Sequence, residues 1–253
     1  MELNLVLDIG NSLIKVGLFE EGKLVGTFFA TPHPFSPEEL LGRLKGKPIE
    51  QALISSVNTK ADDAVKTFLD AQKIRYTFLD RHQLKLTLDV DEPSQVGADR
   101  IANAYGALAR FPLNDAIVVD IGTAITADLI AKEGHYLGGM IYPGAQLCAK
   151  ALAEYTDKLP FVAPKKPSSP LGKTTETHLQ AGIYYGQLGA IERMIAELKL
   201  TALSPSSIKI IATGGATRNE EFIEDVRELV DLIDPHLTLV GLHEILIELT
   251  KKE

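Results

Sequence analysis

The feature that most constrains this fold is a repeat. Residues 3–18 read L-N-L-V-L-D-I-G-N-S-L-I-K-V-G-L, and residues 116–130 read A-I-V-V-D-I-G-T-A-I-T-A-D-L-I. An apolar run closing on Asp-Ile-Gly is thus written twice, with Asp120 answering Asp8 and Gly122 answering Gly10. The surrounding pattern repeats as well. Apolar runs at 3–9, 13–19 and 23–30 predict three strands, joined at Gly10-Asn11 and by a hairpin at Glu21-Gly22. Ser36-Pro37-Glu38-Glu39 supplies an N-cap, a first-turn proline and acids that match the helix dipole, so 37–45 is expected to be helical. A strand over Gln51–Val57, a helix over 60–72 and a strand over Arg75–Leu79 complete a β-β-β-α-β-α-β order. A polar loop over Asp89–Gln95 and a helix over 97–110 follow. The order then restarts with strands at 116–121, 124–131 and 135–142. The chain is therefore expected to be α/β, with duplicated lobes over 1–114 and 115–253 enclosing a cleft.

Composition narrows the functional classes. At 253 residues, with 45% hydrophobic and 24% charged side chains, the chain has the balance of a globular protein. No apolar run reaches the roughly 18 residues that span a bilayer, and Glu2 and Asp8 stand where a signal peptide carries positive charge. A cytoplasmic protein with no membrane partner is expected. A net charge of -8 argues against broad nucleic-acid affinity. The single cysteine, Cys148, leaves no internal disulfide, and no Cys/His spacing suggests zinc.

The repeated motif carries a chemical expectation. A glycine at the tip of a strand-turn-strand lets the backbone approach a bulky anion, and its amide can point at phosphate oxygens. The neighbouring aspartates cannot bind phosphate themselves, and two facing carboxylates repel unless a cation lies near them. The pair Asp8 and Asp120 therefore predicts a metal bridging to phosphate. Asp-Ile-Gly is also an ordinary strand-ending turn, and it is the recurrence within an apolar frame that favours function. Val96-Gly97-Ala98-Asp99-Arg100 marks a loop entering a helix. Asp99 there suits the helix dipole, whereas Arg100 at a helix N-terminus is misplaced unless it meets an anion.

Taken together, these residues resemble the type III pantothenate kinases, members of the actin, hexokinase and Hsp70-like ATPase superfamily. The resemblance runs over nearly the whole chain: D-I-G-N-S-x-x-K at 8–15, S-S-V at 55–57, P-x-x-V-G-A-D-R at 93–100, D-I-G-T-A at 120–124, G-G-x-I-x-P-G at 138–144, T-x-x-x-x-x-x-G-I at 175–183 and A-T-G-G at 212–215. It implies two ribonuclease H-like lobes and phosphorylation of the pantothenate hydroxyl by ATP to 4'-phosphopantothenate, the first step of coenzyme A biosynthesis.

The resemblance also assigns roles. Asp8 would help hold the Mg2+ of ATP, with Gly10, Asn11 and Lys15 lining the phosphates. Asp99 would be the general base toward the pantothenate hydroxyl, Arg100 would pair with the pantothenate carboxylate, and Gly97 would allow close backbone approach. Asp120 would position a cation or phosphate, since the family commonly needs a monovalent ion, K+ or NH4+. Thr123 would contact phosphate, and Gly214 and Gly215 would contact the nucleotide on its adenosine side. Thr175 would contact pantothenate, although a helix cap explains it equally well. Asp128, on the strand after the second turn, is expected to face solvent. Val90 stands where the family usually has a tyrosine that helps bind pantothenate. The family works as a homodimer, and the helix 179–198 with Ile183, Ile191, Ile195 and Leu198 offers either a dimer face or core packing. Two rival readings share the pattern: a kinase of the same superfamily for another small molecule, and a non-catalytic accessory factor for transcription. Retention of all three acids, Asp8, Asp99 and Asp120, counts against a decayed site.

Overall fold

The computed structural model describes residues 3–10, 13–30, 37–44, 46–57, 59–202 and 207–251. Its strands are β1 (Leu3–Ile9), β2 (Ile14–Glu20), β3 (Lys23–Ala30), β4 (Ile49–Ser56), β5 (Arg75–Phe78), β6 (Thr87–Leu88), β7 (Ala116–Ile121), β8 (Ala124–Ala131), β9 (His135–Pro143), β10 (Lys209–Thr213) and β11 (Leu232–Ile233). The helices are α1 (Pro37–Leu44), α2 (Thr59–Ala71), α3 (Ala98–Arg110), α4 (Ala145–Glu154), α5 (Thr175–Thr201), α6 (Glu220–Arg227) and α7 (Leu237–Thr250). Among the described residues, no helix is long and apolar enough to cross a membrane.

Two compact units result, Met1–Arg110 with Leu237–Glu253, and Phe111–His236. The expected division into 1–114 and 115–253 follows chain order. Compactness instead joins the last stretch to the first unit, because α7 packs against α3, β1 and β2 there.

Each unit has the same sheet. In the first, the order is β3-β2-β1-β4-β5; in the second, the corresponding strands run β9-β8-β7-β10-β11. The first three strands of each set pair antiparallel, and the remaining two add in parallel beside the central strand. The duplicated strand order is the one that the repeat predicts, and it is the ribonuclease H-like topology that the resemblance implies. The central strands β1 and β7 have covered faces, which is why they read as near-continuous apolar runs. Along β1, Leu3, Leu5, Leu7 and Ile9 enter the core of the first unit; along β7, Ile117, Val119 and Ile121 enter that of the second. The period of two puts Asp8 and Asp120 on the opposite face of their sheets, near the carboxyl ends of the strands.

Local geometry explains several boundaries. Glu20 pairs with Lys23 across a two-residue loop in which Glu21 (φ 48) and Gly22 (φ 78) are both left-handed, the backbone that matches strand twist in a tight hairpin. In the second unit, Lys166 of the segment between α4 and α5 and Tyr184 of α5 both bond Asp225 of α6, at 2.8 and 2.5 Å to Oδ2. The Lys166 and Tyr184 hydrogen bonds hold the Asp225 carboxyl below its usual range, whereas burial, followed by the bond to Asp225, pushes the Tyr184 phenol up.

Candidate active site

In the first unit the candidate residues form two groups. Asp8 is almost fully buried at the end of β1, where its register partners are Lys15 on β2 and Ser55 on β4. Partners in register share a face of the sheet, and both reach the carboxylate: Lys15 Nζ lies 3.2 Å from Oδ2, and the Ser55 hydroxyl donates to Oδ1 at 3.4 Å. Lys15 is therefore no solvent-directed strand lysine. Its charge offsets that of Asp8 at the position where phosphates are expected, and it keeps 23% of its side-chain surface accessible for a further anion. Gly10 closes the turn by donating its N–H to Leu13 O at 3.0 Å. Asn11 lies outside the described residues.

The second group opens α3. Asp99 and Arg100 are half-buried in the first helical turn, and the Arg100 N–H donates to Asp99 Oδ1 at 2.8 Å. This satisfies one of the orphan donors at the helix N-terminus. A Cβ placed on Gly97 would overlap Asp99 Oδ1, so glycine there makes room for the carboxylate. The Asp99 carboxylate thus complements the helix end.

In the second unit, Asp120 stands near the end of β7 with Thr126 of β8 and Thr213 of β10 as register partners. The turn after it is closed by the Gly122 N–H to Ala124 O at 2.9 Å, one residue shorter than the Gly10 turn. Thr123 is exposed at its tip, and its carbonyl accepts from Gly144 N at 2.9 Å. The G-G-x-I-x-P-G motif therefore ends by packing its last glycine on this turn; a Cβ on Gly144 would come 2.5 Å from Thr123 O. Gly214, with φ 97, is buried against the same segment, where a Cβ would overlap Asp120 Oδ1 and lie 2.6 Å from both Ile121 N and O. Gly215 beside it is exposed. The structure thus brings Asp120, Thr123 and Gly214 into one strand-end cluster.

Thr175 is the first residue of α5 and is exposed, but it does not cap that helix. Thr174 does, in a capping box with Thr177, which leaves the Thr175 hydroxyl outside the cap. Asp128 departs from the expectation of a solvent-facing acid. It is 1% exposed, because the Tyr136 hydroxyl donates to it at 2.6 Å and the Thr126 hydroxyl at 3.2 Å, replacing water at both oxygens. The four side chains considered for a dimer face are buried within the second unit: Ile191, Ile195 and Leu198 in its core, and Ile183 against α4. Ser55 and Thr213 lie within the S-S-V and A-T-G-G motifs, but neither was assigned a role of its own; the structure pairs them in register with Asp8 and Asp120.

Among the described residues, no group of three or more His, Cys, Asp or Glu side chains is arranged to hold a metal. Single carboxylates such as Asp8 suit Mg2+ that takes most of its oxygens from phosphates and water.

Comparison with known proteins identifies the family. Residues 4–197 match the family model described as type III pantothenate kinase. A type III pantothenate kinase from Bacillus cytotoxicus is 34% identical over 250 residues, covering 94% of this chain and 93% of that protein. Among solved structures, a Campylobacter jejuni protein described as a Baf family transcriptional activator superposes with a TM-score of 0.57 at 23% identity, covering 98% of this chain and 99% of that one. The activator of 2-hydroxyisocaproyl-CoA dehydratase from Clostridium difficile, with bound ADPNP, gives 0.53 at 12% identity, covering 99% and 97%. At such identities the two structures speak to the fold.

Proposed function

Because this chain belongs to the type III pantothenate kinase family, we propose that it transfers the γ-phosphoryl group of ATP to the hydroxyl of pantothenate, giving 4'-phosphopantothenate for coenzyme A synthesis. The observation that carries this reading onto the site is the recurrence of one acid at one place in two matching sheets, Asp8 and Asp120. Phosphoryl transfer asks a protein mainly to position reactants and neutralise charge.

Asp8 would hold Mg2+, which would supply positive charge to neutralise the phosphates. Lys15, already paired with Asp8, would turn its ammonium to the β- and γ-phosphates, while Gly10 and Asn11 line them. Asp99 would take the hydroxyl proton as the oxygen attacks phosphorus. Arg100 would meet the pantothenate carboxylate and Thr175 a polar group of the same substrate, with Gly97 keeping the Asp99 carboxylate in place. Thr123, Gly214 and Gly215 would contact the nucleotide, and Asp120 would place a monovalent cation, K+ or NH4+. A homodimer in the cytoplasm is the proposed working form, and exposed Ile141 and Tyr185 are apolar surface that it would bury.

The test incubates the purified chain with MgATP and pantothenate, a panel of sugars, or no acceptor. Mass detection of 4'-phosphopantothenate only with pantothenate is expected. ATP consumption that prefers a sugar, or none with any acceptor, would overturn the reading.

A further inference from the structure

The two units carry the same acid in different company. Asp8 stands between Lys15 and Ser55, and both reach it. The corresponding register positions beside Asp120 are Thr126 and Thr213. A neutral side chain therefore occupies the place of the lysine, and its hydroxyl is directed to Asp128. Thr213 differs from its counterpart Ser55 in another way. It is 1% exposed and its Oγ1 meets no hydrogen-bond partner. Buried hydroxyls are nearly always bonded, so an orphan at a strand end points to a partner that the polypeptide does not supply.

The surroundings specify that partner. Register partners on parallel strands share a face, which puts the Thr213 hydroxyl on the face of Asp120. Gly214, next in the chain, packs against the same segment: a Cβ there would overlap the Asp120 carboxylate and lie 2.6 Å from both the Ile121 nitrogen and its carbonyl oxygen. The donors gathered at the ends of β7 and β10 are thus one carboxylate and neutral oxygens. That set suits a cation of low charge density, of the kind that carbonyl oxygens hold in place of water, and it lacks the nitrogen and thiolate ligands of zinc.

We propose that Thr213 is a ligand of the monovalent cation, its hydroxyl oxygen joining the Asp120 carboxylate to hold a potassium-sized ion in the role that Lys15 plays beside Asp8. The inference rests on the proposed use of a monovalent cation and names a residue that binds it.

The test follows thermal unfolding of the full chain in KCl against choline chloride at equal ionic strength, with and without MgATP, for wild type, Thr213→Val, Thr213→Ala and Thr213→Ser. Expected is a saturable, K+-specific rise in the wild-type midpoint that Thr213→Ser retains. Thr213→Val and Thr213→Ala should need at least about tenfold more K+, the loss of one ligand being worth an order of magnitude in affinity. In choline, Thr213→Val should unfold no earlier than wild type, since it removes an orphan hydroxyl. Binding of Tl+, read by 205Tl NMR, gives the same comparison without unfolding.

Wild-type K+ half-saturation in both apolar variants would overturn the proposal. So would a lost MgATP response beside an intact K+ response, which moves Thr213 to the nucleotide, or the absence of any K+-specific effect in wild type. Pantothenate phosphorylation by wild type in both salts separates the two readings. Product formed equally in choline leaves the kinase standing without this site, whereas a K+ shift without product leaves the site standing without the kinase.

Discussion

Asp99 owes its placement to Gly97, and each can be tested through the other. General-base help contributes about 10²–10⁴ in rate, so Asp99→Asn is expected to lose that much kcat while nucleotide affinity stays within about twofold. Steady-state kinetics beside an ATP-analogue titration check this, and wild-type turnover would remove the base assignment. Gly97→Ala should reproduce much of the kcat loss with the aspartate intact, because the new methyl overlaps the Asp99 carboxylate and forces it aside. Unchanged kcat in Gly97→Ala would mean that the described carboxylate position is not the working one. At this scale the sequence shows local position: Asp8 at a strand end and Asp99 in the first turn of a helix, as the structure has them. The partnership of Ser55 with Asp8 and of Thr213 with Asp120 was hidden, although both residues stand in quoted motifs, because it arises only when a strand far along the chain pairs in register. Asp128 was misread for a similar reason: Tyr136, across the sheet on β9, supplies the hydroxyl that makes its burial tolerable.

Helices α3 and α7 meet through glycines. A Cβ on Gly241 would overlap Ala102 O and sit 2.8 Å from Gly106 N, while one on Gly106 would lie 2.6 Å from Leu237 O. The backbones are therefore close enough for the buried Thr238 hydroxyl to donate to Asn103 at 2.8 Å. Gly241→Ala should cost about 1–3 kcal/mol by forcing the helices apart, seen as a lower urea midpoint at unchanged m. A midpoint at or above wild type would refute the close crossing. The same helix carries a pH dependence. His243 is 3% exposed, stacked on Phe19 at 4.1 Å, with Nε2 lacking a hydrogen-bond partner, and burial lowers its pKa from 6.5. Above that value the residue is neutral in both folded and unfolded chains and contributes no pH dependence. Below it the unfolded chain binds a proton that the native state refuses, so stability falls as pH falls. His243→Leu should flatten that part of the urea-midpoint profile, and equal slopes for both proteins would show that another group carries it. Most elements were visible from periodicity, with ends within a residue or two. The shorter turn after Asp120 is implied by those bounds, which leave three residues between the strands at 3–9 and 13–19 and two between those at 116–121 and 124–131; the structure adds the closing partners, Leu13 and Ala124.

Two matching sheets explain why so much of the architecture was legible: the strand order and the Asp-Ile-Gly turn of each could be checked against the other. Helix α7 has no twin in that comparison. Its sequence, L-T-L-V-G-L-H-E-I-L-I-E-L-T, is apolar around most of its circumference, the mark of a helix buried on several sides. Nothing local says where such a helix returns, and chain order suggests the second lobe. Its destination is set by fit instead. Gly17 on β2 leaves room for Leu239, Gly106 leaves room for Leu237, and Leu237, Leu239, Leu242, Ile245 and Leu246 are at most 3% exposed once seated in the first unit. The first unit is therefore completed only by a segment that follows the whole second unit in sequence, whereas Phe111–His236 holds its own core. Ending the chain at His236 should strip the apolar cover from β1 and β2 and leave the second unit's core intact. Hydrogen exchange on that shortened protein is expected to show amides of β1 and β4 losing protection by orders of magnitude while those of β7 and β10 stay slow. Protected amides throughout β1 would show that the first unit holds together without α7.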